Sequence, residues 1–189
     1  MSENIHMKKK LTGLLFPAFL LASSFCAEAA IEDQSATLSI SGTAVADTDA
    51  LCSISAQASA VYLRGDISNL INLGEVSNNM TFVPLSIQGN EECFAQMKEG
   101  RFSYRFVGIA DSVEGKALAN ASEGDSAAQG VAIGLFDKQG HPVDINQDYI
   151  IPSRNNGVQG IGFQVVKLDG KVATAGTIHG VLTINVERL

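Results

Sequence analysis

Ala36-Thr37-Leu38-Ser39-Ile40 alternates apolar and polar side chains without a break. That two-residue period belongs to a half-buried strand, with Ala36, Leu38 and Ile40 on one face and Thr37 and Ser39 on the other. The end of the chain repeats the pattern. From Gly176 onward, Ile178, Gly180, Leu182, Ile184 and Val186 share one face opposite Thr177, His179, Thr183, Asn185 and Glu187, and only Val181 interrupts the polar side. Between these segments, short apolar runs are separated by glycine, asparagine and aspartate, which predicts strands at Ser53 to Val61, Leu70 to Leu73, Thr81 to Gln88, Phe102 to Ile109, Val131 to Phe136 and Ile161 to Leu168. Asp169-Gly170 predicts a two-residue hairpin leading to Lys171-Val172-Ala173, and Lys138-Gln139-Gly140 a second turn. Helical spacing is short everywhere, with room for one helical turn between Asn90 and Lys98. Ser112 to Gln129, poor in large apolar side chains, reads as a long surface loop or an edge strand. Many short strands without intervening helices indicate an all-β, antiparallel Greek-key sandwich.

Upstream of the opening stretch, Lys8-Lys9-Lys10 precede an apolar run from Leu11 to Phe25 that ends in Ala27-Glu28-Ala29. A basic end, a short apolar core and an A-x-A site make residues 1–29 a secretory signal peptide, whose start is Met1 or Met7. Phe25 is too bulky for the position before a lipidated cysteine, which argues against lipid attachment at Cys26. Removing residues 1–29 leaves 189 − 29 = 160 residues, the size of one ordinary domain. Three lysines and two glutamates leave with the signal, so the net charge moves from −7 to −8. An acidic chain is a poor partner for nucleic acid or for an anionic lipid surface. The two remaining cysteines, Cys52 and Cys93, read as a disulfide in an exported protein. Closing 93 − 52 = 41 residues restricts the unfolded chain by about 4 kcal/mol in the chain-entropy model.

Several motifs then fall into one order. Ala36-Thr37-Leu38-Ser39-Ile40-Ser41-Gly42-Thr43-Ala44-Val45 leads into Cys52. Ile71-Asn72-Leu73-Gly74 precedes Cys93, Gly130-Val131-Ala132-Ile133-Gly134-Leu135-Phe136-Asp137 precedes a glycine turn, and the alternation from Gly176 closes the chain. Together they resemble the subunits of chaperone-usher fimbriae, most closely the major type 1 pilin class. Each motif alone is common in secreted β proteins, whereas their order with the cysteine spacing and signal is specific. The resemblance implies an immunoglobulin-like sandwich that lacks its final strand, completed by a donor strand from a neighbouring subunit or a chaperone. It implies a donor-strand extension at 30–44 with Ala36, Leu38 and Ile40 as the inserted side chains, and a pilin domain at 45–189. The acceptor groove it implies lies along Gly176, Ile178, Leu182, Ile184, Val186 and Arg188. Burying Leu38 and Ile40 would contribute roughly 3 to 6 kcal/mol before ordering costs. The implied partners are other pilus subunits, a periplasmic chaperone, an outer-membrane usher and, through the assembled pilus, a host surface receptor. The implied location is the cell surface, reached through the periplasm. In one place the chain departs from the family: Arg188 occupies the next-to-last position, usually aromatic, which also leaves open a minor adaptor or terminator subunit. A monomeric secreted binding module whose own N-terminal strand completes its sheet is the reading from another class.

Other motifs have ordinary explanations. Gly124-Asp125-Ser126 resembles a hydrolase nucleophile segment, yet His141 and His179 sit in no partner motif, so no catalytic residue, metal ligand or cofactor is expected. Arg64-Gly65-Asp66 matches an integrin-binding tripeptide, but a turn between strands asks for the same glycine and aspartate. Asp137, Asp144 and Asp148 are too loosely spaced for a calcium loop and read as solvated turn residues.

Overall fold

The computed structural model describes residues 36–43, 52–154 and 158–189; within the first span the described side chains are those of 38–40. The signal peptide and the start of the 30–44 extension lie outside the described residues. Among the described residues, ten strands and one α-helix follow in order, with a short 3-10 turn at Ile67–Asn69: β1 (Ala36–Thr43), β2 (Cys52–Ala56), β3 (Ala60–Leu63), β4 (Thr81–Gly89), α1 (Glu91–Lys98), β5 (Phe102–Gly108), β6 (Leu118–Ala119), β7 (Val131–Phe136), β8 (Tyr149–Ile150), β9 (Val158–Lys167) and β10 (His179–Arg188). They form two five-stranded sheets, one ordered β3-β1-β10-β5-β8 and the other β2-β4-β9-β7-β6. Every pairing is antiparallel except β1 with β10. The architecture is the expected all-β sandwich.

The core lies between the sheets and follows from the alternation. Leu182, Ile184 and Val186 of β10 and Tyr104 and Phe106 of β5 face Val83, Leu85 and Ile87 of β4, Ile161 and Phe163 of β9 and Ile133 and Leu135 of β7, all of them buried. Cys52 on β2 is bonded to Cys93 on α1, which fastens the helix to the edge of the second sheet. Asn90 caps α1 by accepting the Cys93 N–H, and Glu91, Glu92 and Lys98 sit at the ends that the helix dipole favours.

Four local expectations change in the structure. Residues 53–61 are two strands in different sheets, because the chain breaks at 57–59 and crosses between layers. Residues 70–73 are not a strand: only Asn72 bridges to Lys167, and Ile71, Leu73 and Met80 cover Ala132, Phe136, Val166 and Leu168 on the outer side of the second sheet. Asp169-Gly170 does turn the chain, with Gly170 at φ 64°, but Lys171-Val172-Ala173 pairs with nothing as a strand. Asn90 to Lys98 supports an eight-residue helix rather than a single turn.

Candidate functional site: a slot between β3 and β10

β1 occupies the slot between β3 and β10. Its register places Leu38 opposite Gly180 on one side and Val61 on the other. Leu38 is fully buried and Val61, Leu182 and Ile184 nearly so. Gly180 makes room for Ile133 of the facing sheet: a Cβ there would lie 2.9 Å from Ile133 Cδ1, against an ordinary 3.7 Å from Leu38 Cδ1. Gly108 on β5 repeats the device, since its Cβ would lie 2.3 Å from Leu118 Cδ2. Glycines in β10 and β5 therefore let Ile133 and Leu118 approach the sheet closely, a role that apolar alternation alone does not disclose.

Two residues further along, the fit is looser. Ile40 is half-buried beside an open cavity of about 250 Å3 lined by Ile40, Ile54, Ser55, Ala56, Ser59 and Ile184. Its backbone N–H donates to the Ser59 carbonyl at 2.9 Å. The structure thus brings Leu38, Ile40, Leu182 and Ile184 together, with Val186 continuing the inward face of β10. Ala36 pairs with Leu63 at the mouth of the slot. Gly176 and Ile178 precede β10. Gly176 is pressed against the 126–128 loop, where a Cβ would lie 2.4 Å from Ala128 N.

Arg188 ends β10 in a way the sequence did not indicate. Its Nη2 donates to Gln96 Oε1 on α1, and Gln96 Nε2 donates to Glu92. Gln96 is buried, so the arginine satisfies an oxygen with little access to water. Leu189 N–H, donating to the Arg101 carbonyl at 2.7 Å, extends the same ladder to the chain end.

A model of the fimbrial protein family matches residues 38–187, from the slot strand to the end of β10. The chain belongs to the fimbrial protein family. This fimbrial protein is similar to an antigen and type I fimbria protein of Burkholderia pseudomallei, solved as a crystal structure, at 18% identity over 82% of this chain and 91% of the other, with a TM-score of 0.36. No significant match was found among curated proteins. A fimbrial protein is a structural pilus component, not an enzyme, and it associates with other pilus subunits.

The remaining polar groups of this pilus subunit serve its architecture. A recess of about 450 Å3 is lined by Asp111, Asn120, Gln129 and Lys171 among others. Asp111 accepts the N–H groups of Val113, Glu114, Lys116 and Ala117. Burial alone would raise its carboxyl, but these backbone donors outweigh burial and hold it below the ordinary carboxylate range. Asn120 donates to the Ala128 and Thr177 carbonyls and accepts from Ser122 and His179 N–H. Arg64-Gly65-Asp66 is exposed, but the Asp66 carboxylate accepts from Ser68 Oγ, Ser68 N–H and Asn69 Nδ2 as the cap of a short turn. Asp137 likewise closes its turn by accepting from Gln139 and His141 N–H.

Proposed function

We propose that this pilus subunit polymerises by donor-strand exchange, lending residues 36–43 to the slot of a neighbour. The observation that carries the reading is the position of β1. Apart from β1, β3 and β10 have no strand between them, and the strand that joins them enters from the N-terminal side of the domain. An empty slot would leave unpaired backbone groups beside Leu182 and Ile184, a surface that invites another strand. In the isolated chain β1 runs parallel to β10, the slightly weaker ladder geometry, and leaves the opening beside Ile40. A neighbour's strand is free to enter in the other direction and fill that opening. Slot and donor lie at different places on one subunit, so the contact is head-to-tail and repetition gives a filament. A chaperone strand fills the slot before assembly, an usher passes the subunit outward, and the assembled pilus supports adhesion.

Deleting 30–42 tests this. The truncated chain, complemented by a peptide of residues 36–43 in trans, is expected to bind that peptide as a folded monomer and to add no further subunit. Filaments built from the truncated chain alone would refute donation.

A further inference from the structure

The recess of about 450 Å3 beside Asp111 and Asn120 lies at the end of the domain where β10 begins. Its walls are fixed from within. Asp111 gathers four backbone N–H groups of the 113–117 loop, and Asn120 ties the Ala128 and Thr177 carbonyls to the Ser122 and His179 N–H groups. Gly130, at φ +66°, lets the next wall close in, since a Cβ there would lie 2.4 Å from the Val172 carbonyl oxygen. Leu168 N–H donates to the Gly130 carbonyl, and Gln129 and Thr174 exchange two bonds at 3.0 Å. The 168–174 turn is thereby held against the 128–131 corner. Ala128, Val131 and Leu168 line the recess as buried apolar residues, and alanine at 110 and 119 leaves its space open. The rest of the lining is polar and includes Ser112, Ser122, Gln129 and Lys171. Among the described residues, the two serine hydroxyls have no hydrogen-bond partner and the Lys171 ammonium has no ion pair.

Resting on the pilus reading above for its display along a fibre, we propose that this recess binds one neutral pyranose sugar unit. A volume of about 450 Å3 falls within the roughly 300 to 1,000 Å3 that small-molecule sites occupy, and a preformed, rigid cavity is what such a site needs. Ser112, Ser122 and Gln129 can each donate and accept, as a sugar hydroxyl does, so one ring can satisfy all three in either sense. Its C–H face then leaves water against Ala128, Val131 and Leu168. Charge selects a neutral sugar. Asp111 sets a negative charge against that of Lys171 within the lining, and the chain as a whole carries −7. An acidic sugar therefore gains nothing at the recess and is repelled by the rest of the molecule. No aromatic ring lines the recess, so one site holds its sugar weakly. Repetition once per subunit turns weak sites into firm attachment to a surface that repeats the same sugar.

The test is amide nuclear magnetic resonance of the isotope-labelled mature chain titrated with methyl glucoside and methyl galactoside, each compared with its uronic acid counterpart. At least one neutral glycoside should shift the amides of Asn120, Ser122, Gln129 and Gly130 saturably. Ser122→Ala and Lys171→Ala should each weaken it by about fivefold, the loss of one hydrogen bond, with amides away from the recess unmoved. Val76→Ala, at an exposed position off the recess, should bind as wild type. Filaments should be retained on beads carrying the same sugar from which the monomer washes off. Silence at these amides up to tens of millimolar of both neutral glycosides overturns the proposal. So does a uronic acid that binds as tightly as its neutral counterpart, or unchanged binding in both variants. Filaments that form but are not retained also overturn it, and leave the donor-strand reading standing. A chain that binds the glycoside but never polymerises sinks the donor-strand reading and leaves the sugar site in place.

Discussion

Leu38→Ala and Ile40→Ala remove the same number of carbons from neighbouring inward positions of β1, and the structure predicts very different costs. Leu38 is fully buried against Gly180 and Val61. Losing three carbons forfeits about 2.4 kcal/mol of transfer free energy at about 0.8 kcal/mol per methylene. A cavity term brings the total to about 3 kcal/mol or somewhat more. Ile40 is half-buried and already borders an opening of about 250 Å3, so little new cavity forms. Roughly half the transfer term applies, about 1 kcal/mol. The gap of about 2 kcal/mol is a factor of about 30 in the unfolding equilibrium. Urea unfolding of the disulfide-intact mature chain, followed by far-ultraviolet circular dichroism, reads it directly. At a slope of about 2 kcal/mol per molar urea, the midpoint should fall by about 1.5 M for Leu38→Ala and by about 0.5 M for Ile40→Ala. Ser39→Ala, on the outer face, should stay within about 0.5 kcal/mol of wild type. An Ile40→Ala loss equal to that of Leu38→Ala would show that the loose end of the slot is not loose. No loss from Leu38→Ala would mean that β1 does not occupy the slot in solution.

Gly140→Ala should destabilise by several kcal/mol in the same titration, because φ is +84° and a Cβ would sit 1.9 Å from the Ser77 carbonyl oxygen, which is backbone and cannot swing away. For Asp111, the depressed folded-state pKa means that its contribution is present above the unfolded value of 3.8 and is lost as pH falls through the folded value. Asp111→Asn should therefore cost about 1 to 3 kcal/mol at neutral pH and progressively less in acid, measured as urea midpoints between neutral pH and the acid limit. Arg188→Ala leaves Gln96 Oε1 buried without that donor and should cost about 1 kcal/mol or more, with faster hydrogen exchange at the last amides of β10 as the local readout.

The alternation in β10 was legible because Leu182, Ile184 and Val186 repeat with the strand period, and the two β7 boundaries fell where the apolar run began and ended. The stretch 53–61 was not legible as two strands, since a crossing between sheets preserves apolar alternation and is marked only by the short break around Gln57 to Ser59. Residues 70–73 misled for a related reason. Ile71 and Leu73 do have an apolar surface to cover, but it is the back of β7 and β9, whose Gly134 and Gly162 leave space for Phe136 and Met80. At the slot, the apolar side chains were visible in sequence, but the close approach of Ile133 to Gly180 was not. The Arg188 to Gln96 contact joins positions 92 residues apart and has no local signature.

Alternation also bears on how one segment can serve two orientations. A strand's inward and outward faces depend only on the two-residue period, which reads the same from either end. Leu38 and Ile40 therefore present one face whether the segment runs parallel to β10, as it does within its own chain, or antiparallel to the β10 of a neighbour. What changes with direction is which side chain meets Gly180 and which meets the opening by Ile54 and Ala56. A slip by one residue is forbidden in both directions, because it would turn Ser39 inward and Leu38 out. A slip by two is not, and the closed position that buries Leu38 beside Val61 is the feature that discriminates, since a smaller side chain there would leave a void. Under donor-strand exchange, register is then set by which of the two large side chains fills the deep position, and the parallel intramolecular strand puts Leu38 there while leaving the opening beside Ile40.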